Sequence, residues 1–195
     1  MQVIVKVLCR TVEEYIAQAL HRGVRPPERC PHCGKLHTLG HLGYYHRGCT
    51  DSEGKVREIS VIRFECAHCG LTVSCLPDFA QPYRLINNTT IQKFFSARGG
   101  SASGGNGDTA PNDVQRNRDN LRRYWRRFVD YASYLRQTVG CALGRAPPKE
   151  PAAGLWQRIL AKYRTLASAT RYLVTAFKVT CFGKYGCHSP AAQGA

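Results

Sequence analysis

The sequence predicts an α+β protein: a short N-terminal βα unit, an antiparallel β ribbon organised by four cysteines, and then a helical, strongly basic region. Three observations carry this. Two knuckles of one design, Cys30-Pro-His-Cys33-Gly34 and Cys66-Ala-His-Cys69-Gly70, bracket a stretch rich in β-branched and aromatic residues. Beyond residue 112 the apolar residues recur with helical spacing. Lys and Arg number 28 against 13 Asp and Glu, a net charge of +15, and the excess is clustered. With 195 residues, 43% of them hydrophobic, the chain suffices for one ordinary core or two small ones.

Taken in order, MQVIVKVLC alternates in part like a strand, and TVEEYIAQALHRG then reads as a helix. Thr11 is its expected N-cap, Glu14 completes a capping box, and Gly23 is the expected residue just past the C-terminus. The apolar N-terminal run is too short and interrupted for a signal peptide, and 18 consecutive apolar residues occur nowhere. The ten cysteines are therefore expected in a reducing, cytoplasmic setting, where close cysteine pairs bind metal or do chemistry more often than they form disulfides.

Glycine after the second cysteine of each knuckle suits a tight turn of positive φ that aims backbone N–H groups at sulfur. Two knuckles supply Cys30, Cys33, Cys66 and Cys69, the four thiolates of one closed tetrahedral structural Zn²⁺ site, and folding is then coupled to metal binding. A redox dithiol wants a single C-x-x-C at a helix N-terminus; here the motif occurs twice, in turns. LGYYHRG (42–48), REISVIRFEC (57–66) and LTVSCLP (71–77) read as strands, with TDSEGK (50–55) turning between the first two. His37, His41, His46, Cys49 and Cys75 lie near enough in sequence to be substitute ligands, although surface or core roles suit them better. His32 and His68, inside the knuckles, should point away from the ion.

After the ribbon, two prolines should keep residues 77–82 extended. NTTIQKFFSAR should then form a helix capped by Asn88 or Thr89, followed by a Gly/Ser-rich loop at 99–111. Residues 112–140 are the most basic stretch. Leu121, Trp125, Phe128, Ala132, Leu135 and Val139 form one apolar helical stripe. Arg116, Arg123, Arg126 and Arg127 fall opposite it, and Arg118 and Arg122 flank it, with only Asp119 interrupting. A merely solvated face mixes Glu with Lys, whereas an all-arginine face suits phosphates and guanine edges. Asn112, Gln115, Asn117 and Asn120 at its N-terminal end are candidate base readers. A proline-containing linker (144–154) leads to an amphipathic helix or helix pair marked by Trp156, Ile159, Leu160, Tyr163, Leu166, Leu173, Val174 and Phe177, which should pack on the basic helix. Cys181, Cys187 and His188 are a weak further metal signal. These boundaries give a βα unit plus ribbon over 1–84, a basic helical region over 85–143, and a C-terminal amphipathic segment over 150–188.

The stretch CPHCGKLHTLGHLGYYHR, continued by ISVIRFECAHCGLTVSCLPDFAQPYR, resembles the zinc-ribbon domain at the front of insertion-sequence transposases and of small transposase-like proteins. The resemblance covers residues 30–84 well. It runs more loosely through IQKFF and RDNLRRYWRRF, which look like the two helices of a helix-turn-helix. It implies Cys30, Cys33, Cys66 and Cys69 as ligands, a recognition helix beginning near Asn117, and DNA at the ends of a mobile element as the partner. Two departures stand out: the 98–115 connection is longer than a helix-turn-helix turn, and no transposase catalytic domain with its acidic triad follows.

The expected function is thus a zinc-dependent nucleic-acid binder without catalysis of its own. Double-stranded DNA is the expected partner, through Arg116, Arg118, Asn120, Arg122, Arg123, Arg126 and Arg127. A transposase, recombinase or nuclease could be an associated protein, membranes are not expected, and a bacterial nucleoid location follows. The competing readings are an RNA-binding ribonucleoprotein subunit, with Tyr44, Tyr45 and Tyr83 available to stack on bases, and an enzyme with a Tyr or Ser nucleophile that no local signature identifies.

Overall fold

The computed structural model describes residues 2–7, 9, 11–100, 111–143 and 150–184. A four-stranded sheet in the order β1-β4-β3-β2 forms from β1 (Gln2–Val5), β2 (Leu39–Thr50), β3 (Val56–Cys66) and β4 (Thr72–Pro77). The three ribbon strands pair antiparallel, as their sequence predicts, and β1 adds to β4 in parallel. The N-terminal strand is therefore part of the ribbon's own sheet. Strand alternation splits the side chains between two faces. Ile4, Ile59, Val61 and Leu76 face one cluster, while Ile62, Phe64 and Cys75 face a smaller one on the other side.

Helix α1 (Val12–Ala17) covers the first face. Thr11 caps it as expected, its hydroxyl accepting from the Glu14 N–H at 3.1 Å. Tyr15 is buried beneath and donates its hydroxyl to the Ser60 carbonyl at 2.9 Å, fixing the helix to β3. The helix stops earlier than the sequence suggests. Ala19 takes the left-handed conformation expected of Gly23, and a 3₁₀ turn, Leu20–Gly23, follows. Of residues 77–82, expected to be extended, only Pro77 is in a strand; residues 78–86 are not. They fold into successive turns closed by Ala80 N–H to Pro77 O and Arg84 N–H to Gln81 O.

Helix α2 (Asn88–Gly100) is capped by Asn87, one residue before the caps expected, with Oδ1 accepting from the Thr90 N–H at 2.9 Å. It runs through Gly99 and Gly100; the rest of the expected Gly/Ser-rich loop, 101–110, lies outside the described residues. The basic segment is two helices, not one: α3 (Asn112–Arg116) and α4 (Arg118–Leu143), broken at Asn117. The C-terminal segment is a helix pair, α5 (Ala152–Tyr163) and α6 (Leu166–Phe177), reversed at Arg164 with Thr165 capping α6. A two-residue hairpin, β5 (Val179–Thr180) with β6 (Gly183–Lys184), follows.

The predicted α4 stripe is the seam of the helical core. Leu121, Phe128, Ala132, Leu135 and Val139 are buried and Trp125 is half-buried, packed with Phe95 of α2, Trp156 and Ile159 of α5, and Leu173 of α6. Phe95 sits at the centre, its ring 4.9 Å from Trp125, 5.1 Å from Trp156 and 5.5 Å from Phe128. Val174 of α6 turns to the sheet cluster instead, so α6 bridges both cores.

Buried polar contacts complete the join. Asn87 donates to Thr50 O and Asp51 O at 2.9 and 3.1 Å, and Gln81 donates to the Thr170 hydroxyl at 2.7 Å. Asn117 donates to Gly54 O in the β2–β3 turn and to Asp113 O, both at 3.0 Å. Gly54 has φ +78°, and a Cβ there would come within 2.7 Å of Asn117 Nδ2 and 2.8 Å of the Asp113 backbone. Only glycine combines that conformation with so close an approach. The turn thus docks directly on the break between α3 and α4.

Candidate metal centre and arginine face

The two knuckles are one turn used twice. In the first, Gly34 N–H donates to Cys30 O at 2.8 Å and Cys30 N–H to Lys35 O at 2.9 Å. In the second, Gly70 N–H donates to Cys66 O at 2.8 Å and Cys66 N–H to Leu71 O at 3.1 Å. Gly34 and Gly70 have φ of +75° and +66°, the left-handed turn that a glycine adopts at low cost. Ala67 N–H donates to Thr38 O at 2.8 Å, and Leu39 pairs with Cys66, so the root of β2 and the end of β3 bring the knuckles face to face.

The four sulfurs of Cys30, Cys33, Cys66 and Cys69 all lie within 4.8 Å of one another and could hold one metal ion. Cys30 and Cys69 sulfurs are 3.9 Å apart, and those of Cys33 and Cys66 are 3.7 Å apart. A tetrahedron with metal–sulfur bonds of about 2.3 Å has edges of about 3.8 Å, so these two edges already fit. The Thr38 hydroxyl lies 3.1 Å from Cys66 Sγ. That hydroxyl, together with the Cys69 and His68 amides, brings the Cys66 thiol down to about 6 despite the desolvation that opposes it. At Cys69 the Leu71 amide also favours the thiolate. Desolvation and hydrogen bonds with the other three cysteines outweigh it and push that thiol up to about 12. Without a cation the pocket thus favours a mixture of thiolate and thiol; a divalent ion supplies the charge that four thiolates need.

None of the substitute ligands joins this cluster. Cys49 and Cys75 are core residues whose thiols are pushed up to about 12 by burial. His41 packs edge-on to Tyr44 and Phe64, and His46 faces Ser60 and Glu58. His32, His37 and His68 are exposed. Cys181 is fully buried in the helical core, where desolvation likewise raises it to about 12. Its suggested partners Cys187 and His188 lie outside the described residues.

All six arginines of the basic segment, Arg116, Arg118, Arg122, Arg123, Arg126 and Arg127, are exposed, and Asn120 is half-buried. Among the described ion pairs only Arg122 finds an acid on this face, Asp119 at 3.5 Å, itself 83% exposed and so of little energetic weight. The arrangement works against helix stability. Cations near a helix N-terminus oppose the macrodipole. The pairs Arg118/Arg122, Arg122/Arg126 and Arg123/Arg127 put like charges four residues apart, at about 0.2–0.5 kcal/mol each. Asn117, expected as a base reader at the start of a recognition helix, is instead buried in the joint with Gly54. Asn112 and Gln115 are exposed beside it.

Residues 29–123 match the model of a domain of unknown function, DUF6431. The matched stretch begins one residue before Cys30 and ends on Arg123, so it takes in both knuckles, the sheet strands between and after them, α2, α3 and the start of α4. No curated protein and no solved structure matches the chain.

One contributor was invisible in the sequence. Arg84, in the loop that leaves the ribbon, places its guanidinium 5.6 Å from the centre of the Tyr124 ring on α4. A turn-forming loop folding back on a distant helix leaves no periodic trace, so no local pattern could have found it.

Proposed function

We propose that the protein is a nucleic-acid-binding protein, built on a structural Zn²⁺ held by Cys30, Cys33, Cys66 and Cys69, that binds double-stranded DNA through the exposed arginine face of α3 and α4. Four thiolates are the donor set of a closed zinc site. The observation that carries the binding reading is the run of six exposed arginines beside one aspartate, an arrangement that costs helix stability unless an anion faces it. Arginine forks grip phosphate and guanine edges, and a helix of this diameter enters the major groove. In this reading α2 and α4 act as a helix-turn-helix, with the sheet as the platform that orients them. The association with a mobile element, and with a transposase, recombinase or nuclease partner in the bacterial nucleoid, rests on the resemblance of the knuckles and the G-Y-Y-x-R segment to transposase ribbons. No helix among the described residues is long and apolar enough to cross a membrane.

The test is a binding comparison of purified, zinc-loaded protein with duplex DNA, single strands and structured RNA. Preference for duplex supports the proposal, and preference for structured RNA replaces it with a ribonucleoprotein role. Metal-dependent nicking that survives stringent purification, and disappears on a point mutation in this chain, replaces it with an enzyme.

A further inference from the structure

We propose that Arg84 is a fixed phosphate clamp at the joint between the ribbon and α4, gripping one backbone phosphate of a bound duplex together with Arg127. This rests on the DNA-binding reading above and adds that the segment leaving the ribbon touches the nucleic acid itself. Arg84 is half-buried, with its guanidinium over the Tyr124 ring. One Nη donates to Tyr83 O at 3.1 Å, while Nε is buried and has no hydrogen-bond partner. The buried Nε is out of reach of a ligand, and among the described residues only one Nη is engaged, so the outer edge of the guanidinium is the part left for an arriving acceptor.

No carboxylate answers it. Neither Arg84 nor Arg127 takes part in any ion pair among the described residues. Tyr124 and Arg127 are three residues apart on α4 and share a face, so the ring under Arg84 brings the two guanidiniums into one neighbourhood. Burial, and then the charge of Arg127, hold the Arg84 guanidinium below its ordinary value, which agrees with that proximity. Arg123, four residues before Arg127, continues the row. Two or three like charges gathered without a counter-charge fit a phosphodiester, whose two free oxygens match a guanidinium fork.

The clamp is also held in place. Arg47 of β2 donates to the carbonyls of Gln81, at 3.2 Å, and Arg84. Thr50 N–H donates to Leu85 O at 2.9 Å. Tyr83, in the left-handed region at φ +56°, sets the turn that aims the next side chain at α4. These contacts fix the backbone at Arg84, while the Tyr124 ring and the Tyr83 carbonyl restrain its side chain, so less freedom is lost on binding than for a flexible surface arginine.

The experiment is duplex binding by fluorescence anisotropy across a salt series for the wild type, Arg84→Gln and Arg84→Lys, with melting curves for each. Arg84→Gln should weaken binding about tenfold, and the slope of log affinity against log salt should flatten by about one. Arg84→Lys keeps the charge but loses the fork, so it should weaken binding at least about threefold at unchanged slope. Wild type that binds duplex, with a folded Arg84→Gln matching it in affinity and slope, overturns the clamp and leaves the DNA-binding reading standing. Should Arg84→Gln fail to fold, a folded Arg84→Lys with wild-type affinity overturns the clamp by itself. Wild type that binds no duplex at low salt overturns both.

Discussion

Replacing Cys66 by Ser should cost the protein its metal and its ribbon, whereas replacing Thr38 by Val should cost only metal affinity. Cys66 is fully buried, with its sulfur 3.7 Å from that of Cys33 and the Thr38 hydroxyl 3.1 Å away. Its N–H and C=O are committed to Leu71 and Gly70, which fixes the backbone, and its full burial leaves little room for water as a substitute ligand. Apparent binding free energies of structural zinc are about 10–16 kcal/mol, against a total stability of about 5–15 kcal/mol for a domain. Losing one of four ligands therefore reaches the scale of the ribbon's own stability. The Thr38 hydroxyl acts one shell out. A hydrogen bond to a charged group is worth about 1.5–3 kcal/mol, and outer-shell losses weaken metal binding about 10–100-fold. The assay is zinc stoichiometry by elemental analysis, zinc affinity by chelator competition, and circular dichroism. The expected order is one zinc per wild-type chain, one weakly held zinc in Thr38→Val, and none with loss of strand signal in Cys66→Ser. Wild type purified without zinc that melts cooperatively and is unaffected by added zinc, or a Cys66→Ser protein with wild-type zinc and melting, would refute the reasoning.

On the arginine face, Arg123→Ala should flatten the salt dependence of duplex affinity by about one unit and weaken all sequences alike if it contacts phosphate. If it reads a base, it should instead cost about 1–3 kcal/mol on the preferred site alone; wild-type binding at every salt would mark a solvated face. Asn117→Ala should lower stability by about 1–3 kcal/mol, since Gly54 O and Asp113 O lose their shared donor, as read by denaturant unfolding. The protein should also be acid-sensitive at Asp51. Burial opposes its charge, but the Arg57 side chain and the Lys55 and Glu53 amides outweigh it and hold the carboxyl below its ordinary value. A depressed folded-state value means that this stabilisation is complete above the unfolded value, about 3.9, and is lost as pH falls through the folded one. Asp51→Asn should therefore remove part of the stability loss seen as pH falls below about 4, measured by urea midpoints; an unchanged midpoint profile would remove Asp51 from the account.

What the sequence made legible was whatever repeats on a local period or spacing. The knuckles, the three ribbon strands, the Thr11 cap and the α4 stripe each follow from a few neighbouring residues, and each stands in the structure. Two of the three misreadings share a physical origin in tertiary contacts. Ala19 takes the left-handed position in place of Gly23. Asn87 displaces Asn88 as the α2 cap because its amide is also needed at Thr50 and Asp51. Asn117 breaks the basic helix because it is claimed by Gly54. In each of the two asparagine cases, a side chain with a sensible local role is drawn to a partner more than thirty residues away, which no window of the sequence contains.

Those two asparagines have a functional consequence. Both fasten the β2–β3 turn, residues 51–55, to the starts of helices: Asn87 to α2 and Asn117 to the joint of α3 and α4. Apolar packing alone would let the sheet slide over the helical core, since it has no direction, whereas buried amide–carbonyl bonds fix orientation as well as contact. The turn they grip closes the same hairpin whose open end carries the second knuckle, Cys66 and Cys69, so β2 and β3 form a lever with the metal site at one end and the arginine helix at the other. Metal loss that frees the knuckle end should leave the helical core around Phe95 intact while loosening the angle between the ribbon and α4. Weakened duplex binding would then accompany the loss of zinc without the α-helical signal falling in proportion. A helical signal that collapses together with zinc would mean that the two cores fold as one cooperative unit and that the joints transmit instability rather than orientation.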